Sequence, residues 1–286
     1  MTSYFAIPIL LFLFQNVSAQ YSEAFSRNVI WPLAAGALRD DPQKCIESGT
    51  GDGKLRRKIE LQCDILNETC SAYTAVSDSR MAIILSWRGS VGAYEIEMEA
   101  LDILFGQQLT FPGGAKVADF FYNAFLKLWN AGIKDDFFTL QQKYPDYEIW
   151  VTGHSLGGAM AGLCAGYLKQ MGFADPSKIR LITYGEPRTG DAQYSTLLNS
   201  LPYSYRVVHD NDWIPHVPFK NENYLHHGIE IYYPNNMTLG LPYTICVGNE
   251  DKSCSSGAPL FRLNFRDHTL YFGIELDNYL SRECKY

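Results

Sequence analysis

The chain has 286 residues, 47% of them hydrophobic and 14% aromatic, and carries a formal net charge of -7. That length and apolar content suffice for a large buried core, which sets aside a disordered or low-complexity polypeptide. The acidic balance and the lack of any basic run argue against a nucleic-acid partner and against strong attraction to anionic membranes.

In chain order, the apolar run Met1 to Phe14 is interrupted by Pro8 and is too short for a stable membrane span. The small residues Val17 and Ala19 precede Gln20 in the pattern of a cleavage site, so residues 1–19 are expected to be a signal peptide and the protein secreted. One departure is that no Lys or Arg precedes the apolar run. Residues 20–286 are expected to form a single domain, with no later membrane span.

Residues 21–39 read as a helix and the Asp-, Gly- and Lys-rich stretch 40–62 as a loop. Ser71–Val76 and Met81–Trp87 read as strands about the turn Ser77-Asp78-Ser79. In residues 91–105, Tyr94, Met98, Leu101 and Phe105 recur at helical spacing, with Glu95, Glu99 and Asp102 on another face and Gly92 and Gly106 at either end. This describes an amphipathic helix, either a moving lid or a permanently docked surface helix. The aromatic stretch 116–144 reads as one helix ending near Tyr144-Pro145. Next come a strand over Tyr147–Thr152, a small-residue helix over Gly157–Leu168, a strand over Ile179–Tyr184, and a helix from Asp191. Strands at Tyr205–His209, Gly228–Tyr233 and Tyr243–Val247 follow, and a helix from His268 to Leu280 closes the chain. Alternation of strand and helix predicts an α/β fold, a mostly parallel central sheet with helices on both faces.

Gly153-His154-Ser155-Leu156-Gly157-Gly158 joins one such strand to its helix. G-x-S-x-G in that setting is the nucleophile elbow of α/β-hydrolases. Glycine is needed beside a serine held in a strained turn, and the helix start stabilises developing negative charge. A serine nucleophile needs a base, and the base needs a carboxylate to fix its tautomer; both are expected after Ser155, the acid just past a strand. Four histidines qualify: His216, His226, His227 and His268. His268 is preferred because it lies on a loop entering the last helix, whereas His226 and His227 suit structural hydrogen bonds. Asp210 and Asp212 both follow the strand Tyr205–His209, and the residues alone leave that choice open. The backbone N–H of Leu156 and a donor from Ser90, after the strand ending at Trp87, are candidates for the oxyanion hole.

Seven cysteines fit an exported protein with three bridges and one thiol left over. Several connectivities are open. Cys63 with Cys70 and Cys246 with Cys254 flank short loops, which would leave Cys45 with Cys284, and Cys164 as a buried free thiol. Asn67-Glu68-Thr69 and Asn236-Met237-Thr238 are glycosylation sequons. With no C-x-x-C pair and dispersed histidines, no metal site is expected, and no cofactor.

Together these segments resemble the class 3 lipases, the family of the secreted fungal triacylglycerol lipases, over most of residues 20–286. Trp87-Arg88-Gly89-Ser90 resembles the family's oxyanion loop, although Phe is usual before the Arg, and Gly153 through Ala159 matches its elbow. Tyr184 through Asp191, Asn211 through Pro215 and His268 through Gly273 resemble its Gly-x-Pro-Arg, acid and histidine segments. The resemblance implies Asp212 rather than Asp210 as the acid, a short helical lid after Ser90, and the pairs Cys45–Cys284 and Cys63–Cys70. Cys246–Cys254 has no counterpart, and Val117 is followed by Ala118 and Asp119 where the family usually has His and Gly. The implied activity is hydrolysis of acylglycerols by a monomer at an oil–water interface, through Ser155, His268 and Asp212. A phospholipase A1 or soluble-ester (feruloyl-type) esterase shares the scaffold. A catalytically dead lipid-binding protein is the reading from another class.

Overall fold

The computed structural model describes residues 20–63, 69–88, 105–218 and 223–286. Its strands are β1 (Lys54–Gln62), β2 (Thr69–Ser77), β3 (Ala82–Arg88), β4 (Gln108–Thr110), β5 (Lys116–Ala118), β6 (Glu148–His154), β7 (Ile179–Tyr184), β8 (Ser204–His209), β9 (Ile229–Tyr233), β10 (Thr244–Val247), β11 (Leu270–Tyr271) and β12 (Ile274–Glu275). Eight of them form one sheet in the order β1-β2-β3-β6-β7-β8-β9-β10. The five strands from β3 to β9 are parallel, and β1, β2 and β10 extend the sheet antiparallel at its edges.

β3 and β6 are buried along almost their whole length, as strands covered on both faces must be. On one face the helices Asp119–Leu128, Lys134–Lys143 and Leu156–Gln170 pack over Leu85, Trp87 and Val151. On the other, the segment Trp31–Gly36 and the last helix, Leu276–Ser281, pack over Ile84, Ile182 and Val207. Helices on both faces of a mostly parallel sheet are the predicted arrangement.

Three expectations are corrected. Residues 40–62 are not a loop: they hold the helix Gln43–Thr50 and the nine-residue strand β1. β1 is an edge strand with a largely polar surface, so its apolar periodicity is weak. Its Arg56 and Arg57 both bind the buried Asp136, which also accepts from the Thr74 hydroxyl. Residues 116–144 are not one helix. β5 comes first, and Gly132, at φ +142, breaks the remainder into Asp119–Leu128 and Lys134–Lys143. The segment from His268 to Leu280 is not a continuous helix either. Phe272 and Gly273, at φ +53 and +82, turn a small hairpin of β11 and β12 between the short helices Arg266–Thr269 and Leu276–Ser281.

Disulfides join Cys45 to Cys284, Cys63 to Cys70 and Cys246 to Cys254, and Cys164 is a buried free thiol. Among the described residues no helix is long and apolar enough to cross a membrane.

Candidate active site

β6 ends at His154, and the helix Leu156–Gln170 begins two residues later, leaving Ser155 alone on the turn at φ +59 and ψ -132. A side chain other than glycine pays a steric cost there, and the surroundings hold it in place. The Ser155 N–H donates to the Tyr184 carbonyl at 2.9 Å, and its own carbonyl accepts from Gly158 at 2.8 Å. Two flanking glycines are required by close approach. A Cβ on Gly153 would lie 2.2 Å from the Gly157 carbonyl oxygen, and one on Gly157 would lie 2.2 Å from that of Trp87. The turn therefore fits only where β3 and β6 run side by side in the register Trp87 opposite Gly153. Leu156 is the first residue of the helix, so its N–H is among the amides that no intrahelical carbonyl can satisfy.

At the same edge of the sheet β8 ends at His209 and the chain turns through Asp210, at φ +33, to Asp212. The Asp212 N–H donates back to the His209 carbonyl at 2.9 Å, which folds its fully buried carboxylate inward. His268 arrives from the other direction on the one-turn helix Arg266–Thr269. Its Nδ1–H donates to both carboxylate oxygens of Asp212, each at 2.9 Å. The opposite ring nitrogen, Nε2, is buried and has no hydrogen-bond partner among the described residues, and the same holds for Ser155 Oγ. Asp212 also accepts from the Ile214 N–H at 2.9 Å and from the Tyr271 hydroxyl at 3.3 Å.

The loops that carry Asp212 and His268 are laced together. Asn264, four residues before His268, donates its N–H to the Asn211 carbonyl and accepts from the Trp213 N–H. The Asp267 carboxylate takes the Asn211 N–H, and the Asp267 carbonyl takes His209 Nδ1. Gly185 lies between the two halves. At φ +57, a Cβ there would come within 2.8 Å of Asp212 Oδ2 and of the His268 ring.

A pattern match to the family described as lipase (class 3) covers residues 84–222. A lipase of Caenorhabditis elegans is 33% identical, with 93% of this chain and 83% of that protein covered. The chain belongs to the class 3 lipases. With them it belongs to the carboxylic ester hydrolases. It is also 34% identical to a Rhizomucor miehei lipase over 71% of its own length, but spans only 55% of that protein. A solved triacylglycerol lipase whose catalytic centre is described as a serine protease triad superposes with a TM-score of 0.72. There the identity is 26%, with 88% of this chain and 94% of that one covered. The fold is thus that of the α/β-hydrolases.

In this class 3 lipase the remaining candidates sit elsewhere. Asp210 makes no bond to His268; burial and the nearby Asp267 raise its carboxyl above the usual range. His226 Nε2–H donates to the Pro215 carbonyl at 2.6 Å, and His227 pairs through Nε2 with the buried Glu186 at 3.0 Å. His216 lies on the turn Ile214–His216, where burial and then Arg188 push its imidazole down. Ser90, Tyr94, Met98, Leu101 and Asn67 lie outside the described residues. Phe105, the last of the proposed lid positions, is buried against Phe121 and Tyr224. Asn236 is exposed, its side-chain oxygen turned to Thr238.

Residues that the sequence did not single out support the site from beneath. Trp31 stacks on Tyr271 at 4.7 Å and meets the His154 ring edge-on at 5.6 Å. His154 stacks on His268, and burial, reinforced by His268, pushes its imidazole from 6.5 down to about 3. Tyr271 was within reach of inspection, three residues after His268; Trp31, far away in the chain, gave no local signal.

Proposed function

We propose that the protein is a secreted lipase that cleaves acylglycerol esters through an acyl-enzyme on Ser155. The observation that carries this reading is the His268–Asp212 couple, with the histidine's second nitrogen and the elbow serine hydroxyl both buried and without a partner among the described residues. Ser155 Oγ attacks the ester carbonyl carbon while its proton passes to His268 Nε2. Asp212 keeps the other nitrogen protonated and stabilises the imidazolium that forms. The negative charge on the former carbonyl oxygen falls to the Leu156 N–H and to Ser90. Collapse expels the glyceride alkoxide, which takes the proton from His268. Water, deprotonated by the same nitrogen, then releases the fatty acid and restores Ser155.

Secretion is supported by the three disulfides and by the apolar run before Gln20. The apolar stripe Tyr94, Met98, Leu101 and Phe105 supports a lid, and Asn67 and Asn236 are its proposed glycan sites. Residues 20–286 are proposed as one domain and one monomer. The test is hydrolysis of tributyrin across its solubility limit, with Ser155→Ala alongside. We expect a rate jump when droplets form and a loss of about four to six orders of magnitude in the folded Ser155→Ala protein. Full activity in that variant rules out the serine mechanism; smooth saturation below the limit makes the protein a soluble-ester esterase.

A further inference from the structure

Just before the histidine loop, Pro259-Leu260-Phe261-Arg262 forms a tight one-turn 3-10 helix, with Arg262 N–H bonded to the Pro259 carbonyl at 2.9 Å and Leu263 N–H to that of Leu260 at 3.2 Å. The turn is fixed, yet it presents its apolar side chains to water: Phe261 is 85% exposed and Leu260 65%. Isolated exposed apolar residues need no explanation, and Val247, at the far end of β10 from the site, is one of these. The pair at 260 and 261 differs in its place. Three residues after Phe261, Asn264 is bonded to both neighbours of Asp212, so the turn is held beside the Asp212–His268 couple. Half-buried Trp213 and Phe265, ring centroids 5.3 Å apart, lie between it and the site, with Phe265 edge-on to His268 at 6.4 Å.

We propose that Leu260 and Phe261 are a fixed anchor that inserts into the lipid surface holding the substrate, at the side of the site where Asp212 and His268 lie. This rests on the lipase reading, because it assumes that the substrate is presented by a lipid aggregate. The occupant is argued from the charge beside the knob. The Arg262 guanidinium lies 5.9 Å from the Phe261 ring, whereas the exposed Arg266, four residues on, is paired with Glu275 at 3.7 Å. An aromatic and an aliphatic tip flanked by the Arg262 cation suits the boundary between acyl chains and anionic headgroups. The cation is local: the chain as a whole is acidic, so it acts at contact rather than at long range.

The experiment measures adsorption to vesicles of phosphatidylcholine containing phosphatidylglycerol, in a Ser155→Ala background so that the lipid stays intact. Leu260→Ser with Phe261→Ser is expected to weaken adsorption tenfold or more (an order-of-magnitude figure). Arg262→Gln should weaken it about fivefold, an effect that fades as salt is added. In the background that retains Ser155, the same substitutions should leave hydrolysis of a dissolved short-chain ester unchanged. Unchanged adsorption of the folded double variant overturns the anchor, whatever the soluble-ester rate shows. If that variant adsorbs normally but abolishes a dimer formed by the parent protein, the knob is a contact between two copies instead. Absence of hydrolysis of emulsified tributyrin by the parent protein counts against the lipase reading itself and is scored separately from adsorption.

Discussion

The imidazole of His154 lies against that of His268, ring centroids 4.5 Å apart and planes inclined by 28°, and its Nε2–H donates to the His268 carbonyl at 2.9 Å. The residue before Ser155 therefore holds His268, the proposed base, by its backbone and by its ring. His154 touches no reacting atom, so its effect is one of position. His154→Ala is expected to lower kcat on a dissolved ester by about tenfold to a hundredfold and to leave KM unchanged. His154→Phe keeps a ring to stack on but loses the hydrogen bond, and should recover only part of the loss. Steady-state kinetics of both variants decide this; an unimpaired Ala variant would show that His268 needs no such support.

Gly185 packs against both Asp212 and His268. Its φ of +57 disfavours any other residue, and a Cβ would press on the Asp212 carboxylate and the His268 ring at once. Gly185→Ala is expected to cost about 1–3 kcal/mol of stability from the backbone alone. The kinetic penalty should be larger, about a hundredfold in kcat, because the displaced pair is the one that handles the proton. Denaturant titration and kcat on the same preparation separate the two effects.

Beneath the acid loop, Arg188 and Glu250 form a buried bidentate pair, both contacts at 2.8 Å. Arg188 also donates to the His216 and Pro218 carbonyls, and Glu250 accepts from the His226 N–H. Glu250 lies in the loop following β10, beside the disulfide Cys246–Cys254. Glu250→Ala strands the guanidinium in the interior and should destabilise the protein by about 3–5 kcal/mol. A shift of less than about 1 kcal/mol in urea unfolding would mean that water reaches Arg188 and replaces the carboxylate.

Acid should unfold this protein through its histidines. His154 titrates near 3 in the fold, and burial, then Arg206, holds His226 well below its ordinary value. In the unfolded chain both titrate near about 6.5. Below that pH the unfolded chain binds protons that the fold refuses, so stability falls as pH falls toward 3. Each such group contributes a slope of up to about 1.4 kcal/mol per pH unit. Urea titrations between pH 7 and pH 4 measure it, and His154→Gln should remove about one proton's share. A flat profile would mean that these imidazoles charge inside the fold.

The elbow was legible because its chemistry is largely local: strand, Gly-x-Ser-x-Gly and helix are consecutive, and Gly153 answers a clash with Gly157 four residues on, whereas Gly157 answers one with Trp87 on the neighbouring strand. The couple of His268 with Asp212 was harder. Asp210 and Asp212 look alike in sequence, and only the turn at Asp210, with the bond from Asp212 N–H to His209, aims one of them inward. β1 was missed because an edge strand needs no apolar alternation when its partner strand supplies the ladder. The broken helices at Gly132 and at Phe272-Gly273 show the opposite limit. Apolar spacing there fits a helix, and the backbone conformation of a single glycine or a tight turn overrides it. The layer of Trp31, Tyr271 and His154 combines residues from three distant segments, so no window of sequence contains it.

The bridge between Asp212 and Asn264 makes everything from Trp213 to Leu263 an excursion pinned at both ends. Inside it, the Ile214 N–H holds Asp212 directly and β9 and Glu250 belong to the core, so only its surface loops are uncoupled from Asp212 and His268. Those loops are the part whose surface can be exchanged without moving the pair. The cystine-bound loop and the apolar knob both belong to it, and so does the natural position for grafting a foreign surface onto this enzyme.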